Sequence, residues 1–176
     1  MPFLPTAAYS IHMEVALDNV PNTLGRLATA IGEAGANIVS MGGFDVRGDH
    51  LINDVVVNCR DEDHAARVVA DVEGQEGVEI LRWFDRTFDM HEGGKIEVVS
   101  LAEVNDRHDL SMAYTPGVAR VCMAIHEDPA RAHDLTIKKN TVAVVTDGTA
   151  VLGLGDIGPT AAMPVMEGKA LPYKEV

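Results

Sequence analysis

Basic residues are scarce in this 176-residue chain: 14 lysines and arginines stand against 27 aspartates and glutamates, a formal charge of −13. Acid exceeds base on both sides of Asp89, so neither half offers the positive surface that nucleic acid or an anionic membrane requires. Cysteines number only two, Cys59 and Cys122, far apart and outside any CxxC or Cys/His pattern. That argues against a disulfide framework and a structural zinc site, and a cytoplasmic location fits. The seven histidines are scattered, with none at metal-ligand spacing from another. Long hydrophobic runs are missing as well. Nothing approaches the roughly 18 apolar residues of a membrane span, and Met1-Pro2-Phe3-Leu4-Pro5 lacks the positive start and apolar core of a leader. What remains, 47% hydrophobic and 23% charged residues, is the balance of a globular protein, with length for one domain or two small ones.

The first half alternates strand and helix patterns. Ile11, Met13, Val15 and Leu17 alternate with Ser10, His12, Glu14 and Ala16, a period of two that turns one strand face to a core. After Asp18-Asn19-Val20-Pro21-Asn22, the residues Leu24, Leu27, Ala28 and Ile31 fall on one face of a helix that Gly35 can end. Residues 36–46 and 51–59 read as a hairpin joined through Arg47-Gly48-Asp49-His50. Asp61 is placed to cap a second helix, acidic residues occupy its first turn, and Ala65, Val68, Val69 and Val72 repeat the helical spacing. Residues 78–84 carry Val78, Ile80, Leu81, Trp83 and Phe84, a run suited to a last strand. The expected order is βαββαβ, a small antiparallel sheet with both helices on one face. Such a unit closes its own core only marginally, which favours pairing with a second copy as a homodimer.

Val20-Pro21-Asn22-Thr23-Leu24-Gly25-Arg26-Leu27, followed by Ala34-Gly35-Ala36-Asn37-Ile38, resembles an ACT domain over residues 8–88. The resemblance implies an α+β, ferredoxin-like regulatory module. It also implies a small amino-acid effector held near Asn19, Asn22, Leu24 and Ile38. One departure is Asn22, which stands where the family usually has a glycine that lets a ligand backbone approach closely. Asn tolerates left-handed geometry better than most residues, so the turn can survive with a narrowed pocket. Amino-acid binding and a purely dimerising role both stay open.

The patterning lapses at Asp89-Met90-His91-Glu92-Gly93-Gly94, so a linker is expected over 89–94 and a second domain over 95–176. Lys95-Ile96-Glu97-Val98-Val99 reads as a short strand, and Val118, Val121, Cys122 and Ile125 mark a helix entered through Pro116-Gly117. Thr141-Val142-Ala143-Val144-Val145 reads as a buried strand, followed by the turn Asp147-Gly148-Thr149. Gly153-Leu154-Gly155-Asp156-Ile157-Gly158 matches GxGxxG, with Glu175 at the spacing of a ribose-binding acid. Pro164, Gly168 and Pro172 should break the helix and second strand that a mononucleotide unit needs. The glycines therefore read as a close backbone approach, and no cofactor-binding residue is assigned. Tyr114 stands just before the Pro116-Gly117 turn, and a lone tyrosine is usually a packed aromatic with its hydroxyl satisfied. Lys169 lies in apolar company in Met166-Glu167-Gly168-Lys169-Ala170. Most lysines are solvated charges, whereas one drawn out of water becomes available as a base.

Three stretches are together similar to the start of the catalytic region of short bacterial malic enzymes. They run from Leu110 to Ala119, from Asn140 to Pro159, and from Pro164 to Ala170, within a match over 94–174 that has no apparent gaps. The resemblance implies the incomplete N-terminal α/β part of an enzyme that oxidises malate with NAD or NADP and decarboxylates bound oxaloacetate to pyruvate. It implies Lys169 as the base for the malate hydroxyl and Tyr114 as the acid that protonates the enol of pyruvate. It also implies Mg2+ or Mn2+ as a Lewis acid on the substrate oxygens. The metal carboxylates and nucleotide fingerprint of that family fall outside this segment, so neither metal nor cofactor residues are assigned and the segment alone is expected to be inactive. Asp147 and Asp156 read as turn residues. Ala150 stands where longer malic enzymes carry a substrate arginine, and Leu171-Pro172-Tyr173 departs from the family's usual aliphatic and aromatic run. Two readings result: the N-terminal part of a malic enzyme, or a stand-alone amino-acid-binding module with a vestigial catalytic segment.

Overall fold

The computed structural model describes residues 4–175 and divides into two compact units, Met1–Gly93 and Gly94–Val176. The first unit contains β1 (Thr6–Asp18), α1 (Thr23–Glu33), β2 (Asn37–Arg47), β3 (His50–Cys59), α2 (Glu62–Glu73), β4 (Val78–Asp85) and α3 (Arg86–His91). The four strands form one antiparallel sheet in the order β2-β3-β1-β4. The alternation in β1 does what its period requires. Ile11, Met13, Val15 and Leu17 are buried beside Val55 and Val57 of β3, and Leu27 and Ile31 of α1 and Val68 and Val72 of α2 close over them. Both helices thus pack in the same core.

Local chemistry fixes the helix starts. Asp61 accepts a hydrogen bond from the His64 backbone N–H at 2.7 Å, and Glu62 and Asp63 occupy the first turn of α2. The α1 entry works differently: Asn22 makes no side-chain cap and holds φ 75°, ψ 0°. This is the left-handed geometry that an asparagine tolerates. The fully buried His64 joins the two helices. Its Nδ1 accepts the Arg60 backbone N–H at 3.0 Å, which leaves Nε2 to donate to the Ala34 carbonyl at 2.8 Å.

The stretch expected as a linker, 89–94, is partly helical. α3 reaches His91, capped by the Asp85 carboxylate, which accepts from the backbone N–H groups of Thr87 and Phe88. Thr87 Oγ1 and Arg86 Nη1 tie this turn to the Ala8 carbonyl and Ser10 Oγ of β1. Six residues are too few to display an apolar period, so the cap was the only local sign of it. Gly93 and Gly94 follow with φ of 76° and 89°.

The second unit contains α4 (Arg107–Ala113), α5 (Val118–Glu127), α6 (Ala132–Leu135) and α7 (Gly158–Glu175), with 3₁₀ turns at Pro129–Arg131 and Ile137–Asn140. The strands expected at 95–99 and 141–145 do not form. The one bridge outside the sheet, among the described residues, joins Val151 to Gly155. A strand needs a neighbour for its backbone groups and cover for its side chains, yet Val98 is 95% and Val145 85% exposed. Only Gly148 and Ala162 are buried among this unit's described residues. The break expected at Pro164 and Pro172 is also absent, because α7 runs through both. Each proline removes one helical hydrogen bond, and an 18-residue helix retains the rest. Among the described residues no helix is long and apolar enough to cross a membrane.

Candidate active site

Tyr114 sits at the corner between α4 and α5. The Asp106 carboxylate starts α4 by accepting from the backbone N–H groups of His108 and Asp109, at 2.7 and 2.9 Å. The helix ends where the Tyr114 N–H donates to the Leu110 carbonyl at 2.8 Å. The Tyr114 carbonyl in turn accepts from Val118 N–H, and Gly117 N–H donates to the Ser111 carbonyl, both at 2.8 Å. A Cβ at Gly117 would lie 2.5 Å from that carbonyl oxygen, so only glycine fits this corner. The backbone is held from both sides while the Tyr114 side chain is 67% exposed.

The glycine-rich stretch is a self-closing loop. Val151 and Gly155 exchange two backbone hydrogen bonds at 2.8 Å, and Gly153, Gly155 and Gly158 all have positive φ. No strand leads into it, in contrast to a phosphate-binding loop. The loop is pinned at its base: the Gly148 carbonyl accepts from Ile157 and Gly158 N–H, at 3.1 and 3.2 Å. A Cβ on Gly148 would fall 2.1 Å from the Gly158 backbone, so the contact is one only glycine permits. Asp147 accepts from Thr149 N–H at 3.0 Å and from its hydroxyl at 2.8 Å. These bonds hold its carboxyl below the usual carboxylate range. It acts as a turn former, as the sequence suggests.

Lys169 stands on α7, which begins at the foot of this loop. The apolar neighbours in its sequence do not enclose it: the residue is exposed. The expected burial is absent because little of this unit is covered at all. Tyr114 and Lys169 are both presented to solvent and share no hydrogen bond in this form of the chain. Sequence reasoning missed Lys95 and Glu167. The Glu167 carboxylate accepts the Lys95 backbone N–H at 3.1 Å, and Lys95 Nζ donates to the Pro164 carbonyl at 2.7 Å. Their separation of 72 residues leaves no local signal.

The four residues expected to hold an effector differ in burial. Asn19 lines a shallow hollow of about 270 Å³ with Asp18, Val20, Gly48 and Asp49, and its N–H donates to the Asp49 carbonyl at 2.9 Å. Asn22, three residues on, is exposed, whereas Leu24 and Ile38 are partly buried and pack on the core. Leu24 and Ile38 therefore serve packing here, and the apolar spacing that placed Leu24 on the helix stripe accounts for it. Among the described residues no three His, Cys, Asp or Glu side chains converge to hold a metal ion.

Residues 93–176 match the family described as malic enzyme, N-terminal domain. The chain is 50% identical over 169 residues to the NAD-dependent malic enzyme of Geobacillus stearothermophilus, a match that covers 96% of this chain and 35% of that protein. It is 49% identical over 90 residues to the NADP-dependent malic enzyme of Haemophilus influenzae, covering 49% of this chain and 12% of that one. A solved malic enzyme from Pyrococcus horikoshii is 48% identical, covering 51% of this chain and 22% of its own, with a TM-score of 0.47. The homologues are NAD- and NADP-dependent malic enzymes, an enzymatic family. The chain spans about a third of the length of the Geobacillus stearothermophilus relative.

Proposed function

We propose that this chain is the N-terminal part of an NAD(P)-dependent malic enzyme, with a regulatory ACT-type unit ahead of a Tyr/Lys-bearing catalytic segment. The observation that carries the reading is the match over 93–176, which contains both Tyr114 and Lys169. It sits inside a 50% identity that also takes in most of the first unit. In the reaction so proposed, malate is oxidised and decarboxylated to pyruvate and carbon dioxide, with a nicotinamide taking the hydride.

The roles assigned to this chain's own residues concern protons. Lys169 accepts the proton of the malate hydroxyl as the carbonyl forms. Tyr114 gives a proton to the methylene carbon of the enolate left after decarboxylation, which yields pyruvate. Removing water disfavours a lysine's charged form, so Lys169 needs cover around it to serve as a base. The open second unit supports further protein as that cover: Leu101, Val145 and Leu152 are 99%, 85% and 100% exposed, and large apolar exposure marks a surface made to be covered.

For the first unit, the ferredoxin-like and ACT reading is supported by the βαββαβ order, the β2-β3-β1-β4 sheet and the shared core of α1 and α2. A small amino acid is the proposed effector. Pairing of two copies is supported by the edge strand β2, where Val39, Phe44 and Val46 are exposed. The activity test uses the full-length protein with malate, Mn2+ and either nucleotide. Malate-dependent NADH or NADPH formation with matching pyruvate is expected; no reduction of either nucleotide would contradict the proposal.

A further inference from the structure

The α7 turn that carries Lys169 lies between two prolines. Pro164 has no N–H for the Thr160 carbonyl, and Pro172 has none for the Gly168 carbonyl. Gly168, the residue before Lys169, adds backbone freedom. Two helical hydrogen bonds are therefore missing around this stretch. The 94–95 segment grips it at two points. Glu167 accepts the Lys95 backbone N–H at 3.1 Å, and Lys95 Nζ donates to the Pro164 carbonyl at 2.7 Å. The approach is close: a Cβ on Gly94, whose φ is 89°, would meet Glu167 Oε1 at 3.3 Å, and a Cβ on Gly168 would lie 3.6 Å from Lys95 Nζ. Both grips fall within five residues of Lys169, at Glu167 about half a turn before it and at Pro164 almost a turn and a half before it.

We propose that Lys95 is a positioning residue that clamps this turn of α7 and so sets the direction of Lys169. The proposal rests on the reading of Lys169 as the base. A charge-assisted bond to a helix carbonyl is among the stronger hydrogen bonds. It acts here on a stretch whose own bonds the prolines have thinned, so its loss is felt as movement of the Lys169 side chain rather than as unfolding. Proton transfer depends on placement within hydrogen-bond reach, and a displacement on the order of 1 Å costs up to about 10²-fold in rate.

The test compares Lys95→Met, Lys95→Arg and Lys169→Ala in the full-length enzyme. Lys95→Met is expected to lower kcat roughly 10- to 100-fold while KM for malate changes less than about threefold. Lys95→Arg, whose guanidinium can still donate to the Pro164 carbonyl, is expected to recover most of the loss. Hydrogen exchange supplies a readout that does not depend on activity. Amides of 165–170 should exchange faster in Lys95→Met, and those of α5 and the first unit should keep their native rates. Normal turnover in Lys95→Met, unchanged exchange over 165–170, or no recovery by Lys95→Arg overturns the clamp. Normal turnover in Lys169→Ala overturns the catalytic reading beneath it, so the two failures are told apart by which variant stays active.

Discussion

Cys59 and Cys122 show how strongly placement governs one residue type. Cys59 is fully buried in the first unit's core, whereas Cys122 is exposed on α5. Burial, then the nearby Asp61 carboxylate, pushes the Cys59 thiol up to about 11 from its ordinary 9.0. Thiolates, not thiols, react with alkylating agents. In native protein at pH 8, iodoacetamide is expected to label Cys122 alone, and both cysteines once the chain is unfolded. Rapid native labelling of Cys59 would refute the buried placement. The same shift has a pH signature. With the folded value raised, the contribution of the neutral thiol is complete below pH 9 and is lost as the pH rises through about 11. Urea unfolding of the first unit should therefore show stability falling across that window, with a shallower fall in Cys59→Ala.

At the scale of elements, α1 offers the cleanest test of local geometry. Asn22 holds φ 75° at the start of the helix, a conformation that costs most L-residues about 1–2 kcal/mol. Asn22→Gly should be neutral or stabilising by up to about 1 kcal/mol, and Asn22→Val should destabilise by about 1–2 kcal/mol. Thermal unfolding reads both, and equal stabilities for the two variants would contradict the left-handed entry. The first unit was legible because its signals were local and agreed with one another. Odd positions of β1, the α1 stripe and Asp61 each point to one answer, and the core is built from those same side chains. In the second unit, spacing found α5 and the Asp147 turn, and the rest was legible only through resemblance. Its apolar runs at 95–99 and 141–145 have the composition of strands, but composition cannot supply the neighbour that a strand pairs with. Pro164 and Pro172 mislead in the opposite sense, since a helix tolerates a proline when its other bonds and outside contacts hold it. The Lys95–Glu167 contact was out of reach of any periodicity, because it joins segments 72 residues apart. Tyr114 and Lys169 could be named from their motifs, whereas their exposure could not.

Taken as a molecule, the chain pairs a closed unit with an open one. The first buries a continuous core across β1, β3, α1 and α2, while the second presents Val98, Leu101, Val145 and Leu152 almost wholly to solvent. A surface of that kind is one that further protein covers. The central claim is that Lys169 and Tyr114 move different protons in the complete enzyme. The most direct measurement separates the two partial reactions in full-length variants: oxaloacetate reduction follows the hydride step, and proton exchange at the pyruvate methyl follows the enol step. Lys169→Ala should lose oxaloacetate reduction by about 10²–10⁴-fold, and Tyr114→Phe should lose methyl exchange by a similar factor while keeping more of the reduction. Near-normal oxaloacetate reduction in Lys169→Ala, or unchanged methyl exchange in Tyr114→Phe, would contradict the account.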